Sequence, residues 1–317
     1  MKTDYLRVSV TDRCNLRCIY CHPLGDCDFL DHNDILRFEE IYRIVRLFAR
    51  CGIRKVRITG GEPLVRRNIV YLIEQLAGID EIDDLALTTN GILLDPMAGD
   101  LKNAGLHRVN ISMDSAERES YKKITGFDLL TEVTRGIDRA MEVGLSPVKI
   151  NSVIIDGINV PQIVDLARMS VDLPIAVRFI EYCPTSRQTH PADGFVPTSR
   201  VRGIIENEFG TLSAVPDDNT ASPASNYKIN NAAGTIGFIS GRSSVFCGDC
   251  NRLRLTSDGK IKPCLYSANN YDLKKLIREG ADDKEILAML KTAIAEKGKY
   301  TKSNSFAEEF TMRKIGG

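Results

Sequence analysis

Six apolar runs rich in β-branched residues alternate with segments whose apolar residues recur at helical spacing, and this alternation constrains the fold more than any other feature of the chain. The runs are YLRVSVT from residue 5, VRITG from 56, LALTTN from 85, RVNISM from 108, VKINSVI from 148 and AVRFIEY from 176. Between them Ile41, Ile44, Val45 and Phe48 follow the i, i+3, i+4, i+7 pattern, with Gly52 as a left-handed stop after Cys51. Ile69, Leu72, Ile73 and Leu76 repeat the pattern before Gly78, as do Leu130, Val133, Ile137 and Met141 before Gly144. Strands separated by helices run parallel and are joined by right-handed crossovers, in a doubly wound sheet or a barrel. No glycine-rich dinucleotide fingerprint follows the first strand, which favours the barrel.

Beyond Tyr182 the pattern changes. Two stretches rich in Pro, Ser, Asn and Asp read as connections, with a short helical piece near 198–208 between them. Strand-like TIGFIS follows, then RLRLTSDGKIKPCLY, in which Ser257, Asp258 and Gly259 form a hairpin turn. A helix built on Ile286, Met289, Leu290 and Ala293 comes last.

Lys plus Arg and Asp plus Glu both number 42, so net charge offers nothing to nucleic acid or an anionic membrane, and any anion site must come from local clustering. The N-terminal stretch lacks the apolar core of a signal peptide, and no run of about 18 apolar residues occurs, so a cytoplasmic location without a membrane partner is expected. In that compartment the nine cysteines stay reduced and suit metal or redox chemistry better than disulfides.

Three of them, Cys14, Cys18 and Cys21, follow the first strand in a C-x3-C-x2-C loop. That is one thiolate fewer than a closed zinc site or a fully ligated iron-sulfur cluster takes, so one iron would stay open for a substrate or cofactor. The rival is a zinc site completed by His22. In a parallel barrel the loops after the strands build the active site, and TGGEP, TTNG, SMDS, Asn151 and EYCP would all fall at that mouth. A second C-x2-C-x13-C set, Cys247, Cys250 and Cys264, encloses Arg252 and Arg254. It reads as another open-iron cluster, or as a zinc hairpin completed by Cys27 or Cys183. With no Walker A loop, an anionic ligand must be held by side chains. Lys55 with Arg57 and Arg252 with Arg254 are strand pairs on one face, and Arg7, Lys149 and Arg178 lie in further strands.

The motifs CNLRCIYC and GGEP resemble the radical S-adenosylmethionine superfamily. VRITGGEPLVRR, VKIN, VRFIEY, FCGDCNRLRLTSDGKIKPCLY and the terminal IGG extend the resemblance over essentially the whole chain to its GTP 3′,8-cyclase family. The resemblance implies an α/β fold, an incomplete (β/α)6 TIM-like barrel over residues 1–215, with residues 216–317 closing its mouth and carrying the second cluster. It implies two [4Fe-4S] clusters and S-adenosylmethionine as cofactors. Tyr20, Gly61, Ser112, Asn151 and Cys183 match positions around S-adenosylmethionine, Gly61 by letting its backbone approach the cofactor. Cys183 replaces the family's usual Met and offers the same backbone carbonyl. Arg7, Arg57, Thr88, Lys149, Arg178, Arg252 and Arg254 match GTP-binding positions. The implied reaction begins with reductive cleavage of S-adenosylmethionine to a 5′-deoxyadenosyl radical. Abstraction from the ribose 3′ carbon and attack on guanine carbon 8 follow, with the base held at the second cluster. An external electron donor and a downstream pyranopterin-forming enzyme are the implied partners, and a homodimer stays open. The terminal Gly-Gly is expected at the barrel mouth, although Lys314 stands where the family has Arg, with Arg313 one place earlier.

Overall fold

A computed structural model describes residues 3–21, 29–183, 194–216, 223–244, 250–265, 267, 270–297, 315 and 316. Six parallel strands follow one another in chain order: β1 (Tyr5–Ser9), β2 (Lys55–Thr59), β3 (Asp84–Thr89), β4 (Arg108–Ser112), β5 (Lys149–Ile154) and β6 (Ala176–Glu181). The intervening helices are α1 (Phe38–Arg50), α2 (Ile69–Ala77), α3 (Leu94–Asn103), α4 (Arg118–Thr125), α5 (Leu130–Glu142) and α6 (Ile163–Asp172). The periodic helices α1, α2 and α5 lie where their apolar spacing puts them, and Gly52 carries the expected positive φ of 96°. Helices α3, α4 and α6 carry weaker signals. In α3, Pro96 and Gly99 interrupt the pattern, and only Leu94, Ala98 and Leu101 are buried. Pro96 is tolerated because it lies in the first turn, where its missing N–H has no partner to lose.

The C-terminal third extends the sheet at both edges. After α7 (Thr198–Phe209) come β7 (Ser213–Ala214), β8 (Ser225–Lys228) and β9 (Thr235–Ile239), and β9 pairs parallel with β6. Next are β10 (Arg252–Leu255), β11 (Lys260–Lys262), β12 (Tyr271–Asp272), α8 (Leu273–Arg278) and α9 (Asp283–Glu296). Here β10 pairs parallel with β1, and the hairpin read from Ser257 to Gly259 joins it to β11. The result is one twelve-stranded sheet whose edges, β7 and β12, do not pair, so the barrel is incomplete. Among the described residues no helix is long and apolar enough to cross a membrane.

Strand alternation decides where the core lies. Leu6, Val8, Val56, Ile58, Leu85, Leu87, Val109, Ile111 and Ile150 point to the helices and are fully buried among α1, α2, α3 and α5 residues. Each such side chain contributes about 1.5–3 kcal/mol when fully removed from water. The opposite face carries Tyr5, Arg7, Arg57, Thr88, Ser112, Asn151 and Arg178. A barrel packed for stability fills that face with Val, Ile and Leu. Here it is polar, and the interior is left as a cavity.

Candidate active site

The cavity holds about 410 Å³, within the range of small-molecule sites. Cys14, Cys18 and Cys21 lie in its wall, as do Cys250 and Cys264, with Arg7, Arg57, Arg178, Arg252 and Arg254 also lining it. Register explains the cation cluster. Arg7 is directly opposite Arg57 on β2 and Arg254 on β10, so the three form a row across adjacent strands. Arg252 lies one step deeper, opposite Tyr5. Burial, then Arg254 and Arg57, holds the Arg7 guanidinium well below its ordinary pKa, a field that an anion would relieve. The nearby Asp84 carboxylate is already committed to Arg108 at 2.5 Å. Arg57 rests over the Tyr5 ring, and its buried Nε, like Thr88 Oγ1 and Asn151 Oδ1, has no hydrogen-bond partner among the described residues. Buried polar atoms are rarely left so, and these suit a polar, anionic ligand.

Lys149 is the exception among the expected anion binders. It sits at the start of β5, two residues deeper than Asn151, and is not part of the cavity wall. Burial, then Arg178, Arg108 and Arg57, lowers its pKa to about 7, so its ammonium is held only weakly until an anion comes near. Lys55, the sequence partner of Arg57, is also absent from the wall and lies 4.0 Å from Asp4.

The first cysteine loop is fixed from three sides. Arg17 N–H donates to the Thr125 carbonyl at 2.9 Å and Ile19 N–H to that of Ile124 at 3.0 Å, tying the loop to the end of α4. Gly61 N–H donates to Thr11 O at 2.7 Å, and Glu62 N–H to Arg13 O at 2.8 Å. A β-carbon on Gly61 would lie 2.4 Å from the Arg13 carbonyl oxygen. The glycine is thus demanded by the cysteine loop's own backbone, a different reason from the cofactor approach expected from sequence. On the third side the Tyr20 hydroxyl donates to Asp114 Oδ2, whose other oxygen accepts Val153 N–H at 2.8 Å. In SMDS, Asp114 is therefore a clasp between the loop and β5, and the cap of α4 is Glu117.

The chemistry of the loop suits a bound cationic centre. Burial pushes the Cys18 thiol well up, and Cys21, Asp114 and Cys14 add to the shift, so three thiolates need positive charge among them. The second set has the opposite surroundings. Burial opposes the Cys250 thiolate, but Arg252, Lys297 and Arg254 bring its pKa down to about 7. Cys247, His22 and Cys27 lie outside the described residues, as do Arg313, Lys314 and Gly317. Ile315 is buried, and Gly316 packs on Thr59, a cavity-lining residue at the end of β2.

Tyr20, Gly61, Ser112, Asn151 and Cys183 all line the cavity, as does Thr88. Sequence reading passed over Glu62 as a clamp. Its buried carboxylate accepts from Leu64 N–H at 3.0 Å, Thr89 Oγ1 at 2.8 Å and Asn90 N–H at 2.6 Å, and burial raises its pKa to about 7. Asn90 in turn donates to Asn15 Oδ1 at 2.7 Å and to Cys14 Sγ at 3.9 Å. The available signal was the charged residue inside GGEP, since a buried carboxylate there needs donors.

Residues 8–170 match the Radical SAM superfamily, and residues 175–303 match Molybdenum Cofactor Synthesis C. The chain is 44% identical over 316 residues to the GTP 3′,8-cyclase of Pelotomaculum thermopropionicum, covering 99% of this chain and 97% of that protein. It is 42% identical over 315 residues to the GTP 3′,8-cyclase of Moorella thermoacetica, with 99% and 97% covered. Among solved structures, Streptococcus suis SuiB bound to S-adenosylmethionine superposes with a TM-score of 0.67 at 15% identity, over 89% of this chain and 66% of that one. That likeness concerns the fold. With the cysteine loop, the polar barrel interior and full-length identity in agreement, the chain belongs to the radical S-adenosylmethionine superfamily and, within it, to the GTP 3′,8-cyclase family.

Proposed function

We propose that this protein converts GTP to (8S)-3′,8-cyclo-7,8-dihydroguanosine 5′-triphosphate, the opening step of molybdenum cofactor biosynthesis. The observation that carries the reading is the cavity wall, where Arg7, Arg57 and Arg254 stand in register and share the lining with Cys14, Cys18, Cys21, Cys250 and Cys264. Cys14, Cys18 and Cys21 would hold a [4Fe-4S] cluster, with Tyr20, Gly61, Ser112, Asn151 and Cys183 around S-adenosylmethionine. Cys247, Cys250 and Cys264 would hold a second cluster. Bound together, these groups supply one-electron chemistry that the twenty side chains lack.

The chain's own residues bind, orient and shield. Arg7, Arg57, Arg252 and Arg254 offer forked guanidinium donors to a triphosphate, with Arg178 and Lys149 adding charge from β6 and β5. Thr88 Oγ1 and Asn151 Oδ1 are a donor and an acceptor placed to orient polar ligand groups. Residues 1–215 form the barrel unit in this reading, and residues 216–317 the unit that brings β10 and the second cysteine set to it. An external electron donor and a downstream pyranopterin-forming enzyme complete the sequence of steps.

Anaerobic reconstitution with iron and sulfide, then incubation with reductant, S-adenosylmethionine and GTP, tests the whole reading. The expected product has the mass of GTP and a changed ultraviolet spectrum, and forms with one equivalent of 5′-deoxyadenosine. Cleavage of S-adenosylmethionine that leaves GTP intact would point instead to another substrate, such as a peptide. No cleavage at all would leave only an electron carrier.

Two further results are expected. Arg252→Ala or Arg254→Ala removes a charge-assisted interaction worth about 1.5–3 kcal/mol, so the GTP dissociation constant rises about ten- to a hundredfold in equilibrium dialysis. Unchanged affinity would assign the pair to folding alone. Replacing Cys247, Cys250 and Cys264 together by Ser lowers bound iron from about eight atoms per chain to about four. Stoichiometric zinc in protein purified without oxygen would contradict the second cluster.

A further inference from the structure

We propose that Lys297 is the positioning residue of the second cysteine set, joining its two segments and donating an N–H···S hydrogen bond to Cys250 that raises the reduction potential of the group held there. The inference rests on the reading of that set as a second cluster. Lys297 follows the last turn of α9 and is 4% exposed. Its Nζ lies 2.6 Å from the Arg252 carbonyl oxygen, 3.1 Å from the Pro263 carbonyl oxygen and 3.6 Å from Cys250 Sγ. An ammonium has three N–H donors, and these acceptors use all of them.

The placement has a direct structural consequence. Arg252 begins β10 two residues after Cys250, and Pro263 immediately precedes Cys264. One side chain therefore sets the separation of two cysteine segments that lie on either side of the β10–β11 hairpin. Among the described residues no carboxylate accepts from Lys297. A buried ammonium without an anion is costly, and a thiolate-ligated cluster would supply the missing negative charge.

The first cysteine set is treated differently. Cys14 Sγ accepts from two neutral donors, Leu16 N–H at 3.4 Å and Asn90 Nδ2 at 3.9 Å, and Asp114 lies near Cys18. Cationic donors to cluster sulfur favour the reduced form, whereas a nearby carboxylate opposes it. The second group should therefore titrate at the higher potential of the two, and Lys297 is the residue that contacts its ligand directly.

The test compares wild-type, Lys297→Met and Lys297→Arg proteins after anaerobic reconstitution, by iron analysis and by redox titration followed with electron paramagnetic resonance. In Lys297→Met the second signal moves to a lower potential, the first stays fixed as an internal reference, and affinity for the second cluster falls about ten- to a hundredfold. Lys297→Arg, which keeps the charge, recovers part of the potential. Should Lys297→Met fail to fold, Lys297→Gln keeps two N–H donors without the charge and gives a smaller shift in the same direction. A second signal at wild-type potential in a variant without the ammonium overturns the proposal. Equal shifts of both signals also overturn it, because they report general loosening. A wild-type protein with about four irons and one signal removes the second cluster itself, a failure visible before any variant is made.

Discussion

Cys18→Ser abolishes 5′-deoxyadenosine formation. The C-x3-C-x2-C loop offers three sulfur ligands with none to spare, so losing one leaves a cluster with two anchors and two exposed irons. Serine is a hard oxygen donor whose proton is not displaced under conditions where a thiol loses its own. The fold around the loop should survive, because its position depends on backbone pairs that do not involve the Cys18 sulfur: Arg17 and Ile19 to α4, and Gly61 and Glu62 to Thr11 and Arg13. Circular dichroism and bound GTP should therefore match wild type, while cleavage of S-adenosylmethionine drops to background in a single-turnover assay with excess dithionite. Cleavage at a near-normal rate would sink the assignment of Cys14, Cys18 and Cys21.

Deleting Gly316 and Gly317 leaves both cysteine sites and the cleavage of S-adenosylmethionine intact but stops hydrogen transfer from GTP. Gly316 has φ +81°, and a β-carbon there would lie 2.2 Å from Thr59 Cγ2. Only glycine fits both the backbone conformation and the contact, since the left-handed region costs other residues about 1–2 kcal/mol before any clash is counted. A tail that merely frayed would not be held so tightly against a residue lining the cavity. Loss of the two glycines removes the packing of Gly316 on Thr59, next to the GGEP turn. The measurement is deuterium transfer from 3′-labelled GTP into 5′-deoxyadenosine. Undiminished transfer in the truncated protein would show that the tail has no part in the chemistry.

Much of this protein was legible in the sequence because the signals are local. The apolar runs that became β1 to β6, the periodic faces of α1, α2 and α5, and the turn at Gly259 each depend on residues a few positions apart. The cysteine spacings and the Arg252/Arg254 pair are equally local, since strand geometry alone places alternate residues on one face. Helices such as α3 escaped because Pro96 and Gly99 break the pattern while tertiary packing of Leu94, Ala98 and Leu101 sustains the helix.

What only the tertiary structure decided depends on partners distant in sequence. That β10 pairs with β1, putting Arg254 beside Arg7 and Arg57, joins residues about 245 positions apart, and no periodicity encodes a contact of that kind. The same holds for Lys297 between Arg252 and Pro263, for Tyr20 with Asp114, and for Glu62 with Asn90. Each is a buried polar group whose partner must come from another element, because burial without a partner is too costly to survive. The sequence by itself determined which cysteines and cations are candidates for the chemistry and which face of each strand they occupy. The order of strands across the sheet decided which of those residues meet, because hydrogen-bonded register converts separate alternating patterns into one shared wall.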